Sequence, residues 1–280
     1  MTLWLNLAGW HIRLIGASVE LAAQAAERYA AFVVSPAAAA DLTVEVRPAA
    51  GRPAAAAGTI PAEFERGRAL LQAPLRAIGG IYLLDAAGIH GRIALSDRQA
   101  QLQYYGPVAF SELEYFLRIA CALLAHHAGG LLVHAAGLQM GGAVYLFIGQ
   151  SGSGKSTVVA LSQEAMALGD DLILLRPTPG GWQAYGTPFW NLDARGADVR
   201  CSAHSGPLTG IYKLVQDPDV YLEALSLPVA VAELVANCPV VNGIAVDLPE
   251  LVGRCRTLAR AVPPAALHFR KDPGFWQLIR

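Results

Sequence analysis

One eight-residue segment carries the clearest chemical signal in the sequence: GQSGSGKS, at residues 149–156. It fits the pattern G-x-x-x-x-G-K-[ST] at every position. An apolar stretch at 144–148 predicts a strand before it, and residues 157–168 predict a helix after it. Glycines let the backbone curl so that successive N–H groups point at phosphate oxygens, and the following helix adds the positive end of its dipole. The segment therefore predicts a binding loop for the polyphosphate tail of a nucleoside triphosphate.

The loop residues share the task of holding phosphates. They are Gly149, Gln150, Ser151, Gly152, Ser153, Gly154, Lys155, Ser156 and Thr157. In this pattern the lysine reaches the β- and γ-phosphates, and the hydroxyl after it ligates Mg²⁺. Lys155 is one of only three lysines in the chain, which makes its position informative. A nucleoside triphosphate and Mg²⁺ are therefore the expected ligands.

A pair of carboxylates, Asp170 and Asp171, follows the predicted helix and precedes an apolar strand at 172–175. Beside the loop, one would hold Mg²⁺ and the other would accept a proton from an incoming hydroxyl. The alternative is an ordinary turn between helix and strand, where aspartates are common. Their short distance in sequence from Lys155 favours the catalytic interpretation.

His134 lies on a strand predicted at 131–138, directly before the strand that feeds the loop. A single histidine on an apolar strand is usually a hydrogen-bonded core residue. Its own surroundings in the sequence assign it no chemistry.

Taken together, these residues resemble the HPr kinase/phosphorylase family, and more closely its shorter relatives, the HPr-kinase-related serine kinases of bacteria. The matching text is VHAAGLQMGGAVYLFIGQSGSGKST, followed by LGDD. Three later segments are similar to the short relatives: YGTPFW at 185–190, PLTGIY at 207–212 and FRKDPGFWQLI at 269–279. The resemblance covers roughly residues 111–280 and is faint over the first hundred.

The resemblance implies an ATP- and Mg²⁺-dependent kinase that phosphorylates a serine hydroxyl on a protein, a peptide or a small molecule. Asp170 would match the general base of the family. Ser156 and Asp171 would position Mg²⁺, while His134 and Lys155 would act at the phosphates. Arg195, Arg200 and Lys213 are candidates for the acceptor site, although surface cations are often simply solvated.

The resemblance also implies the fold. An α/β P-loop kinase domain of the HPr kinase/phosphoenolpyruvate carboxykinase type is expected at 111–280, after a small mixed α/β N-terminal domain of unknown role at 1–110. Thr157 stands where the HPr enzymes usually carry Glu. The longer glycine-rich signature of the full-length enzymes has no counterpart either, which argues against HPr itself as the acceptor. A homo-oligomer is left open.

Two other functions stay open. One is an ATPase whose hydrolysis drives a conformational change, although no water-positioning group stands out. The other is a non-catalytic nucleotide-binding regulatory module, in which Asp170 would be a turn residue. The presence of the lysine, the loop serine, both aspartates and the histidine favours the kinase.

Composition narrows the range of partners. With 21 basic and 22 acidic residues the net charge is −1, which argues against nucleic-acid binding by bulk charge and against a polybasic membrane tether. Mean hydropathy is high, at +0.38. However, the long uncharged stretch at 119–154 is broken by histidines and glycines, so it predicts buried strands rather than a membrane span. The start of the chain lacks the basic region and cleavage site of a signal peptide, so a cytoplasmic location is expected.

The elements that position these residues follow from hydrophobic periodicity. Residues 1–110 predict three strands, at 3–7, 11–15 and 42–46, and one helix at 19–32. An antiparallel meander of three further strands is predicted at 81–84, 89–95 and 100–105. Ser111 and Glu114 form a capping-box pattern, which predicts a helix over 112–127. We place the boundary between the two domains near residue 110.

Overall fold

The computed structural model describes residues 2–49, 74–86, 88–105, 110–190 and 203–279. These residues form a mixed α/β structure with two mixed sheets. Arg195 and Arg200 lie outside the described residues.

The first sheet has seven strands, in the order β1-β2-β3-β7-β6-β5-β4. The strands are β1 (Thr2–Leu7), β2 (Trp10–Ile15), β3 (Leu42–Pro48), β4 (Leu75–Ile78), β5 (Ile81–Ala86), β6 (Ile89–Ala94) and β7 (Gln99–Tyr104). Helix α1 (Val19–Arg28) connects β2 to β3, which are parallel, as a crossover connection requires. The predicted strands and the antiparallel meander are confirmed.

Helix α1 is shorter than its apolar pattern predicts. It ends at Arg28, and a separate 3₁₀ turn follows at Ala30–Phe32. Tyr29 leaves the helical conformation and is fully buried together with Phe32. The apolar spacing continues beyond Arg28 because Tyr29 and Phe32 are buried in the core, although the backbone that carries them is a turn and not a helix.

Helix α2 (Phe110–His127) contacts strands of both sheets and is buried from Leu113 to His126. The helix predicted at 112–127 is confirmed. The capping-box interpretation is wrong, because Ser111 lies inside the first turn rather than before it. A helix buried on all sides is expected to be apolar all round, so its buried Glu114 and Arg118 must be paired. No helix in the described ranges, α2 included, is long and apolar enough to cross a membrane.

The second sheet has eight strands. They are β8 (Leu131–Met140), β9 (Ala143–Ile148), β10 (Met166–Gly169), β11 (Leu172–Thr178), β12 (Gly181–Tyr185), β13 (Ser205–Gln216), β14 (Tyr221–Ala224) and β15 (Ala265–Phe269). Helices α3 (Lys155–Leu161), α4 (Leu227–Ala236), α5 (Leu248–Ala261) and α6 (Trp276–Ile279) belong to this part of the chain.

Three neighbouring strands of this sheet, β9, β13 and β15, are parallel. Ile148 pairs with Lys213, and Gln216 pairs with Phe269, so the carboxyl ends of all three strands meet at one edge. Ligands of open α/β sheets commonly bind beyond the carboxyl ends of parallel strands. The segment 149–156 leaves the sheet at this edge.

The helix predicted at 157–168 is correct only in its first half. Helix α3 ends at Leu161, and residues from Met166 form β10, which pairs with β8. The hydroxyl of Ser162 at the helix end donates to the carbonyl of Val158 and accepts a hydrogen bond from the Trp276 indole. Asp170 and Asp171 therefore connect two strands and do not follow a helix.

The chain closes with aromatic residues under the loop. A 3₁₀ turn at Pro273–Phe275 leads into α6, which is a single short turn of helix. The rings of Phe275 and Trp276 pack against Phe147 of β9 at centroid distances of 6.1 Å. Phe269 also contacts Phe275, which fixes the floor on which the loop rests.

Candidate phosphate-binding site

The loop at 149–156 curls because of two glycines that no other residue could replace without strain. Gly149 has φ +152°, and a Cβ there would lie 2.6 Å from Ser153 Oγ. Gly154 has φ +110°, and a Cβ there would lie 2.7 Å from Cζ of Phe269. Both the backbone conformation and the close contacts therefore require glycine. The result is a closed backbone cradle seated on the aromatic floor.

Lys155 lies over this cradle. Its Nζ donates to the carbonyl oxygen of Gly149 at 2.7 Å and to that of Gln150 at 3.3 Å. Burial lowers the pKa of the Lys155 ammonium, against the opposing effect of the charges on Asp171 and Asp170. A buried cation whose hydrogen bonds within the described residues go to loop carbonyls is well placed to exchange these carbonyls for phosphate oxygens.

Strand register brings the two aspartates to the loop. Gly169 pairs with Gly137, and Leu172 pairs with His134, so Asp170 and Asp171 lie between them along one side of β8. On the other side of β8, Ala135 pairs with Ile148, the last residue before the loop. The aspartates are thus separated from the loop by the width of one strand.

A pocket of about 300 Å³ lies over the cradle. Nine predicted site residues line it: His134, Ser151, Gly152, Gly154, Lys155, Ser156, Thr157, Asp170 and Asp171. The other three, Gly149, Gln150 and Ser153, belong to the loop without lining the pocket. Gln216 and Lys271 also line it. These two residues were not predicted from the sequence, although both stand at the carboxyl ends of neighbouring parallel strands.

A buried arginine holds Asp171 in place. Nη1 of Arg118 donates to Oδ2 of Asp171 at 2.5 Å, and its Nε and Nη2 donate to Oε1 of Glu114 at 3.2 and 2.8 Å. Burial alone would lower the pKa of the Arg118 guanidinium, but the carboxylates of Asp171 and Glu114 outweigh burial and raise it. Arg118 was also missed. The one sequence feature that could have identified Arg118 as a buried, paired residue is its position four residues after Glu114 on a largely apolar helix.

His134 faces the other oxygen of Asp171. Its Nε2 lies 3.5 Å from Oδ1, at the outer limit for a hydrogen bond. Burial, followed by the positive charge of Lys155, lowers the pKa of His134 to about 4. The imidazole is therefore neutral at physiological pH. Its backbone N–H donates to the carbonyl of Asn237 at 2.7 Å, which ties β8 to the end of α4.

The ion pairs continue from Glu114 into the first sheet's helix α1. Oε2 of Glu114 lies 3.4 Å from Nε of Arg28 and 3.4 Å from the hydroxyl of Tyr29. Burial raises the pKa of Tyr29, so the hydroxyl stays protonated and donates to this carboxylate. The Arg28 guanidinium also stacks on the Trp190 ring, 3.3 Å from its centroid. A chain of charged contacts thus links α1 to the pocket.

Lys213, the third candidate for an acceptor site, does not line this pocket. Its Nζ pairs with Oε1 of Glu233 at 2.6 Å, which makes it part of the packing between β13 and α4. Two of the three lysines, Lys155 and Lys271, do line the pocket.

The donor atoms fit a magnesium-bound nucleotide. Among the described residues, no three His, Cys, Asp or Glu side chains cluster to hold a metal by themselves. Magnesium at nucleotide sites needs only one or two protein oxygens besides phosphates and water. Ser156 and Oδ1 of Asp171 can provide those oxygens. The buried Ser153 Oγ has no hydrogen-bond partner within the described ranges.

Neither protein-family models nor curated protein sequences match the chain. Similarity therefore assigns neither a family nor an activity. The residues of the pocket, their distances and their charges are the basis on which function can be inferred.

Proposed function

We propose that the protein is an ATP- and Mg²⁺-dependent kinase of the HPr-kinase-like type, which transfers the γ-phosphoryl group to a serine hydroxyl of a protein, a peptide or a small molecule. The observation that carries the proposal is that one pocket contains both the phosphate loop and the carboxylates of Asp170 and Asp171. Residues 111–280 would form the kinase domain and residues 1–110 the N-terminal domain. The cytoplasm, which supplies ATP, is the proposed location.

Charge favours catalysis over simple nucleotide binding. Asp170 and Asp171 are each only 6% exposed. Buried negative charges repel a polyphosphate, and the repulsion is stronger than in water because the local dielectric constant is lower. A module that only held the nucleotide would bind it more tightly without them. Carboxylates are useful at such a site when a metal cation is shared or a proton must be removed.

Asp170 is the group that would accept the proton of the acceptor hydroxyl. Arg118 and His134 face the two oxygens of Asp171, which suits that carboxylate to holding Mg²⁺ in a fixed position. In the transfer, the hydroxyl oxygen forms a bond to the γ-phosphorus while the bond from that phosphorus to the β,γ-bridging oxygen breaks. The proton moves to Asp170, and the electron pair of the broken bond leaves with ADP.

The other residues hold the tail in position. The cradle N–H groups and Lys155 would bind the phosphates and stabilise the charge that develops during transfer. Ser156 and Asp171 would hold Mg²⁺, which when bound supplies neutralisation of charge on the β- and γ-phosphates. His134, being neutral, would contribute a hydrogen bond rather than a positive charge.

The proposal is tested with γ-labelled ATP, Mg²⁺ and a heat-treated cell extract as the source of acceptors, with phosphoserine detected by mass spectrometry. Wild-type protein should label an acceptor and Lys155→Ala should not. Release of inorganic phosphate without a labelled acceptor would instead indicate an ATPase. Calorimetric binding of ATP with neither product would indicate a regulatory module.

A further inference from the structure

Lys271 is an unused cation in the pocket. It follows β15 directly after Arg270, is exposed, and lines the same cavity as Lys155 and the two aspartates. Within the described residues it has no hydrogen-bond or ion-pair partner. Its neighbour Arg270 differs, since its Nε donates to the carboxylate of Asp272 and it does not line the pocket.

The position of Lys271 relative to the loop is closely defined. Phe269, two residues earlier, packs directly against Gly154 of the loop and pairs with Gln216 of β13. The side chain of Gln216 donates to the carbonyl of Gly152 at 2.8 Å and lines the same pocket. Two contacts therefore fix the segment that carries Lys271 beside the loop: Phe269 contacts Gly154 directly, and Gln216, its partner on β13, bonds to Gly152.

The two walls of the pocket carry opposite charge. Asp170 and Asp171 approach from beside β8, on one side of β9, whereas Lys271 approaches from β15, beyond β13 on the other side. The phosphate loop, which follows β9, lies between them. An anionic tail laid across the loop would therefore have its transferred end at the aspartates and its remaining end at Lys271.

We propose that Lys271 is a second phosphate-binding lysine, which binds the diphosphate portion of the nucleotide that becomes ADP. This rests on the proposed function, because it takes the γ-phosphate to lie beside Asp170. A lysine at the opposite wall then contacts the part of the tail that stays with the nucleoside. It would counter the negative charge that grows on the leaving diphosphate.

The test is calorimetric titration of ATP, ADP and adenosine, the two nucleotides with Mg²⁺, into wild-type protein, Lys271→Ala, Lys271→Arg and the matched control Arg270→Ala. Lys271→Ala should weaken ATP and ADP binding alike, by roughly tenfold or more, because a charge-assisted hydrogen bond is lost. Adenosine binding should not change, Lys271→Arg should recover most of the affinity, and Arg270→Ala should stay within about twofold of wild type.

Several results would overturn the inference. These are unchanged affinity in Lys271→Ala, a loss confined to ATP, an equal loss for adenosine, or an equal loss in Arg270→Ala. In each of these cases wild-type protein still binds ATP, so the proposed function stands. Absence of ATP binding by the wild-type protein would instead remove both.

Discussion

Nη1 of Arg118 lies 2.5 Å from Oδ2 of Asp171, and both side chains are buried. The same guanidinium contacts Glu114, which in turn contacts Arg28 at the end of α1 and Tyr29, the residue that follows the helix. Asp171 is therefore positioned by residues that lie outside the phosphate loop. Changes at the first sheet are expected to reach the pocket through this chain of contacts.

Removing Arg118 should be severely destabilising. Arg118→Met removes the buried cation that lies between the carboxylates of Asp171 and Glu114, and breaking a buried ion pair typically costs about 3–5 kcal/mol of unfolding free energy. The matched control is Arg47→Met, whose exposed side chain lies 3.8 Å from Glu45 and should cost less than about 1 kcal/mol. Urea denaturation measures both. Equal losses in the two variants would show that the Arg118 pairs contribute no more than a surface ion pair.

Weakening the link to α1 should affect activity more than nucleotide binding. Arg28→Met removes one cation from Glu114 and keeps an apolar chain against Trp190. We expect kcat to fall severalfold while the affinity for ATP stays within about twofold of wild type, because the loop itself is untouched. Steady-state kinetics and calorimetry separate the two quantities. A loss of ATP affinity that accounts for the whole effect would contradict the link through Asp171.

The close contact between Gly154 and Phe269 can be tested by a pair of substitutions. Gly154→Ala places a Cβ 2.7 Å from the ring at φ +110°, so the loop must distort and ATP affinity should fall by roughly tenfold or more. Gly152→Ala is the control, since at φ +84° its Cβ would meet no atom within 4 Å. The affinity of Gly152→Ala for ATP should fall less than that of Gly154→Ala.

Adding Phe269→Leu to Gly154→Ala should restore part of the affinity, because the smaller side chain relieves the contact. Calorimetry on the single and double variants measures the coupling between the two positions. Strictly additive effects would mean that backbone strain alone, and not the ring, requires glycine.

His134 should make stability depend on pH. Its pKa is lowered to about 4 in the folded protein by burial, whereas an unfolded histidine has a pKa of about 6.5. Between these values the unfolded chain binds a proton that the folded protein does not, so stability falls as pH falls from about 6.5 to about 4. The contribution of His134 between about pH 7 and about pH 5 is about 2 kcal/mol.

Denaturant unfolding at the two pH values measures this dependence. His134→Gln should show a smaller loss of stability on acidification than wild type, while His127→Gln, at the exposed end of α2, should lose as much as wild type. An unchanged pH dependence in His134→Gln would show that the folded imidazole is as readily protonated as the unfolded one.

The sequence predicted the parts of this structure that depend on local pattern. The loop at 149–156 carries its own motif, and the strands on either side of the turn at Gly141 are long enough for their apolar character to be unambiguous. Strand β10 was misassigned as helix because its short apolar stretch lies next to α3, and only its pairing with β8 identifies it as a strand.

Long-range contacts could not be predicted in this way. Arg118 and Asp171 are 53 residues apart, and nothing near either residue in the sequence identifies the other as its partner. Lys271 was likewise not assigned to the pocket, because its placement depends on the parallel pairing of β13 with β15. Tertiary packing, rather than local propensity, determines both.

The central claim is that Asp170 accepts a proton from a hydroxyl at a nucleotide site, and single-turnover transfer from γ-labelled ATP by Asp170→Asn tests it most directly. The amide has the same shape and cannot take the proton. The rate of phosphoserine formation should therefore fall by roughly a hundredfold or more, while ATP affinity measured on the same sample stays close to wild type or rises. An Asp170→Asn protein that transfers the phosphoryl group at the wild-type rate would show that this carboxylate is not the base.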